Sequence, residues 1–160
     1  MVLKPVKNHG IKTKIFDVGE HIMAQDLFFK KELIKELRRI VTMMKKEENL
    51  DKKLYLFSAA YGIAARTYRY SFSGDYLISE YVLNTSYGVI REQIKGIKSG
   101  DSCVEINNLH FEKIQEGLGL LADAFERDES ILEPLEKILI VAFSTSGAGN
   151  YLKEKGMLTL

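Results

Sequence analysis

The chain has one cysteine, Cys103, two prolines and no tryptophan in 160 residues. A lone cysteine closes no disulfide within the chain, so burial alone must hold the fold, and the composition fits a reducing compartment. Three histidines, His9, His21 and His110, lie far apart in the sequence, so the ligand set of a structural zinc site is missing as well. No run approaches ~20 uninterrupted apolar residues, and the opening MVLKPVKNHG lacks the apolar core of a signal peptide. Internal repeats and low-complexity stretches are also absent. The expectation is a cytoplasmic protein of one domain, residues 1–160, without a membrane segment, metal or cofactor.

What is present is the composition of a globular chain, 46% hydrophobic and 28% charged, with a net charge of +1. That near-neutrality hides a polarity. Residues 1–100 carry 18 Lys and Arg against 11 Asp and Glu, and residues 101–160 carry 5 against 11. Acidic helices packed beside basic ones would neutralise this within the fold. Pairing with a second copy, or an anionic partner, would do so outside it. Residues 1–15 hold Lys4, Lys7, Lys12 and Lys14 with no acid and read as a basic N-terminal arm.

The helical period dominates the rest. Val18, Ile22, Phe29, Leu33, Leu37, Ile40 and Met44 draw one stripe over Asp17–Glu48, with Asp17 and Glu20 spaced as a capping box. A second helix over 51–70 places Leu54, Phe57, Tyr61, Ala64 or Ala65, and Tyr68 on one face. After the turn SFSGD, a third shows Tyr76, Leu83, Tyr87, Ile90, Ile94 and Ile97 up to Gly100. The loop SGDSCVEINN leads to a fourth, capped by Asn107 or Asn108, with Phe111, Ile114, Leu118, Leu121 and Phe125 inward. No strand alternation competes, so the prediction is all-α: an antiparallel four-helix bundle with an additional buried C-terminal helix, five to six helices in all.

The C-terminal helix comes from ILIVAFSTSGAGNYL, Ile138 to Leu152, which first suggests a strand feeding a phosphate loop. The spacing refuses it. A dinucleotide fingerprint wants a third glycine where Leu152 stands, and the Gly-Lys-Ser/Thr of a P-loop is absent. Leu135, Ile138, Val141 or Ala142, and Thr145 repeat at helical spacing instead, with Pro134 suited to a first turn. Gly147 is then expected as a left-handed C-cap before a short final helix, Asn150–Lys155, closed by Gly156.

Charges that interrupt the stripes mark candidate sites. In helix one the skipped inward position is Asp26 or Gln25, and in helix three it is Glu80. An inward carboxylate needs a partner. Seven of the eight tyrosines fall between Tyr55 and Tyr87 and supply hydroxyls. The candidate polar core or pocket is therefore Asp26, Glu80, Tyr61, Tyr68 and Tyr87. Asp17 and His21 share a face at metal-ligand spacing, yet no Glu-x-x-His pair accompanies them. A candidate basic surface comprises Lys31, Lys35 and Arg38 of helix one with Arg66 and Arg69 of the RTYRY run, the mixture of guanidinium and aromatic groups that single-stranded nucleic acid uses. Cys103, between Asp101 and Glu105, lacks the electropositive setting that activates a thiol.

The segment YLFSAAYGIAARTYRYSFSGDYLISEY and the Lys-, Ile- and Tyr-heavy composition give the chain a resemblance to small, uncharacterised archaeal helical-bundle proteins. The resemblance implies a fold and carries no functional residue. Three functions stay open at the level of sequence. The first is a non-enzymatic helical protein that self-associates or binds a protein partner. The second is a small-molecule-binding or catalytic bundle using inward carboxylates and tyrosines, and the third is nucleic-acid binding through helix one and the basic arm.

Overall fold

The computed structural model describes residues 10–100 and 106–157, all of whose regular structure is helical. Six helices follow in order: α1 Gly10–Lys46, α2 Leu50–Ser71, α3 Gly74–Ser99, α4 Asn108–Arg127, α5 Leu132–Ser144 and α6 Gly147–Glu154. The expected all-α bundle is present. Cys103 and residues 1–9 of the basic arm lie outside the described residues.

The helices close a ring. α1 packs on α2 and α4, α2 on α3, and α5 fills the gap between α3 and α4, with α6 resting on α5. Short connections at Glu47–Asn49 and Phe72–Ser73 make α1, α2 and α3 antiparallel neighbours. A ring with an odd number of helices cannot alternate throughout, so one pair must run the same way, and here it is α3 and α5. The interior is filled by Leu37, Phe57, Leu83, Ile90, Phe111, Leu118 and Ile138, none more than 1% exposed. Gly117 is what lets α4 and α5 approach, because a Cβ there would stand 2.5 Å from Ile138 Cγ1.

The caps explain most boundaries. Asn49 accepts from the Lys52 N–H to start α2, and Gly100, at φ 80°, ends α3. Asn107 caps α4 as expected, joined by His110 reaching back to the Asn107 N–H.

Three details differ from the sequence reading. α1 begins at Gly10, so the Asp17–Glu20 pair lies inside a helix rather than at its start, and residues 10–15 are part of that helix. Gly147 is not a C-cap: α5 ends at Thr145 in right-handed geometry, and Ser146 opens α6 by accepting from the Gly149 N–H. The hydroxyls of Ser144, Thr145 and Ser146 donate to the carbonyls of Val141, Ala142 and Phe143, satisfying the groups a glycine cap would otherwise serve. Finally, the gap in the α3 stripe between Tyr76 and Leu83 is filled by Ser79, fully buried with its hydroxyl on the Asp75 carbonyl, while Glu80 sits half-buried at the edge.

Candidate functional site

One end of the bundle gathers the unusual features. Here the α2–α3 and α4–α5 turns lie beside α1, which continues past both. Leu33 is the first fully buried side chain of α1 among those described, and Ile22, Met23, Leu27 and Phe28 are 59%, 67%, 50% and 57% exposed. At ~1.5 Å per residue, Gly10 to Phe28 is about 28 Å of helix, and Asp26 within it lies against the bundle. The α1 stripe seen in the sequence is thus core only from Leu33 onward. Before it, Ile22 is exposed and Phe29 is half-buried.

Aromatic rings continue this surface onto the bundle. Phe28 meets Phe29 edge-on at 5.4 Å, and Phe29 stacks on Tyr70 of α2 at 4.6 Å with rings 5° from parallel. Beyond Tyr70 comes Phe72, 76% exposed, whose ring lies 6.1 Å from that of Tyr68. Phe72 closes α2 with φ 56°, a left-handed conformation that disfavours a bulky L-residue. A strained, exposed aromatic is the kind of outlier that points to function.

Beside this surface lies an acidic cleft lined by Asp26, Asp75, Asp128 and Glu129, with Lys30 and Tyr76. Asp26 is half-buried, and its Oδ1 is closed off from solvent without a hydrogen-bond partner among the described residues. Lys30 pairs with Asp128. Tyr76 is 4% exposed, and burial, reinforced by Asp26, Asp75 and Asp128, pushes its hydroxyl up to about 12. A raised tyrosine stabilises the fold at every pH below its unfolded value near ~10, and that contribution is lost as pH rises through about 12. Tyr76→Phe is therefore expected to flatten the fall in stability between pH 10 and 12, read by thermal denaturation across that range.

The sequence-predicted residues divide between faces. Asp26 and Glu80 do not share this cleft, since Glu80 is absent from its lining. Tyr61 and Tyr87 come together across α2 and α3 with ring centroids 5.4 Å apart, and Arg91 lies over Tyr87 at 5.7 Å. Tyr61, Tyr68 and Tyr87 flank the core rather than fill it, because Ala60, Ala64 and Thr67 take the innermost line of α2. Asp17 and His21 precede the residues whose side chains are described.

The basic surface is also divided. Lys31, Lys35 and Arg38 share a groove on α1 with Glu126 and Asp128, whereas Arg66 and Arg69 are exposed on α2 and do not line it. Arg38 forks onto Asp123 at 2.7 Å and Glu126 at 2.6 Å, which holds the Glu126 carboxyl below the usual carboxylate range. Lys35 pairs with Glu32 and Arg39 with Glu36. The acidic last third of the chain thus neutralises part of the basic helix within the fold.

Sequence reasoning passed over Leu27, Met23 and Phe72. Met23, Leu27, Ile34 and Val41 form a second apolar line on α1 at steps of four and seven, the available sign that this helix has more apolar surface than one core can take. Among the described residues, no group of three His, Cys, Asp or Glu side chains is placed to hold a metal ion, and no helix is long and apolar enough to cross a membrane. No known protein family, curated protein or solved structure matches the chain.

Proposed function

We propose that the chain acts as a non-enzymatic helical protein that self-associates through the projecting part of α1 and the aromatic end of the bundle. The observation that carries the reading is the exposure of Ile22, Met23, Leu27 and Phe28 on α1 together with Tyr70 and Phe72 at the end of α2. Covering these six side chains removes roughly 700 Å² per copy from water, close to the ~800 Å² per partner of a stable interface. Isolated surface apolar residues are ordinary, but six large ones gathered at one end of a bundle point to an interaction site.

Charge selects a second copy as the occupant. If two α1 projections lie antiparallel, the beginning of one reaches the bundle end of the other. The beginning is lysine-rich in sequence, with Lys4, Lys7, Lys12 and Lys14. The bundle end presents Asp26, Asp75, Asp128 and Glu129. The pairing brings opposite charges together twice, once for each copy. Nucleic-acid binding through helix one is less well supported, because carboxylates are interleaved with its cations.

Sedimentation equilibrium of the full chain tests the reading, with a dimer expected at micromolar concentration that weakens as salt is raised. A strict monomer across that range would remove it. Phe72→Gly adds a sharper check. It relieves about 1 kcal/mol of left-handed strain, so the melting temperature holds or rises while dimerisation weakens severalfold.

A further inference from the structure

A second feature lies at the far end of the bundle, away from the projecting helix. A groove of about 510 Å³ runs along α4 where it faces the end of α1 and the start of α2. This is within the ~300–1,000 Å³ typical of small-molecule sites. Its wall contains two buried hydrogen-bond donors in excess of their acceptors. Lys53 is 5% exposed, and its Nζ donates at 2.7 Å to the neutral Asn108 Oδ1, with no ion pair among the described residues. Gln115 is 4% exposed, and its Nε2 has no acceptor. An ammonium buried against one neutral oxygen, next to an unpaired amide N–H₂, leaves a place built for an anion.

We infer that this groove binds a small amino-carboxylate, its carboxylate held by Lys53 Nζ and Gln115 Nε2. The remaining lining sets the class. Val41 and Leu120 supply apolar contact for a short aliphatic body. Glu112, Glu116 and Asp123 on the same face of α4, against the one further cation Lys45 of α1, repel a dianion such as phosphate and favour an amino group at the other end of the ligand. Lys53 occupies the inward register of α2, four residues before Phe57 and seven before Ala60, where an apolar residue would pack more cheaply. Its bond to Asn108 ties α2 to the start of α4 but leaves its charge without a counter-ion among the described residues, which a ligand carboxylate would supply.

The test is a titration of the full-length, ¹⁵N-labelled protein with 6-aminohexanoate, hexanoate, hexylamine and inorganic phosphate, followed on the Gln115 side-chain amide and the α4 backbone amides. Saturable shifts with 6-aminohexanoate are expected, with hexanoate several-fold weaker and hexylamine producing none. Lys53→Met should weaken 6-aminohexanoate at least tenfold and Gln115→Leu about fivefold, both with unchanged helical circular dichroism. Lys53→Met keeps the aliphatic stem and removes a buried charge, so the fold is expected to survive it. Absence of saturable shifts, tighter binding of phosphate, or Lys53→Met leaving the affinity unchanged would each overturn the inference. Hexanoate binding as tightly as 6-aminohexanoate would overturn its amino half. The groove lies apart from the α1 projection, so a protein that proves monomeric is expected to bind these probes equally well.

Discussion

Leu27→Glu combined with Phe28→Glu is expected to abolish the proposed self-association, raising its dissociation constant at least a hundredfold. The reasoning starts from exposure. Both side chains are half-exposed or more, and both precede Leu33, where the core contribution of α1 begins. Neither substitution opens a cavity, so fold stability should change by about 0.5 kcal/mol or less in the monomer. In the proposed pairing both are apolar anchors of the contact, and charged replacements of buried anchors cost ~2 kcal/mol or more apiece. Met43→Glu is the control: Met43 is 43% exposed on the same helix but beyond the projection, and its replacement should leave the dimer intact. Sedimentation velocity on the three proteins reads the result. A double variant that still dimerises as tightly as the parent would exclude this face.

The same helix shows how far sequence periodicity reaches. The α4 stripe, Phe111 to Phe125, and its Asn107 cap stand in the structure as the spacing predicts, since every position in it meets a neighbour. In α1 the apolar period runs on either side of the skipped Asp26 position, yet Ile22 is exposed and full burial begins only at Leu33. Periodicity reports which side of a helix is apolar and carries no information on whether anything lies against it. Lys53 and Gln115 were hidden for a related reason. Each sits beside apolar neighbours, Leu54 and Ile114, that account for the stripe on their own, so a polar residue in the inward register reads as an edge. The carboxylates Asp26 and Glu80 were legible as interruptions, but the sequence could not tell that Ser79, by bonding back to its own helix, takes the inward place that Glu80 was expected to hold.

The segment STSGAGN carries the other large effect, and it separates two glycines that look alike in sequence. A Cβ on Gly149 would lie 1.7 Å from the Phe143 carbonyl oxygen and 2.6 Å from its carbon, with Ser144 Cα at 2.8 Å. These are backbone atoms at the end of α5, and the same carbonyl already accepts from the Ser146 N–H and hydroxyl. No rotamer change relieves the overlap, so α6 must move away from α5 to admit even a methyl group. Gly149→Ala is therefore expected to undock α6 and destabilise the protein by about 3 kcal/mol. In a chain of this length that lowers the melting temperature by roughly 5 to 10 °C. Limited proteolysis should then open the α5–α6 junction before the bundle itself. Gly147, two residues earlier, has no atom within 4 Å of where its Cβ would be and no positive φ. Gly147→Ala is expected to change stability by about 0.5 kcal/mol or less. Equal effects at the two positions would mean that α6 is held by its cap at Ser146 rather than by the backbone approach at Gly149, because either alanine leaves that cap in place.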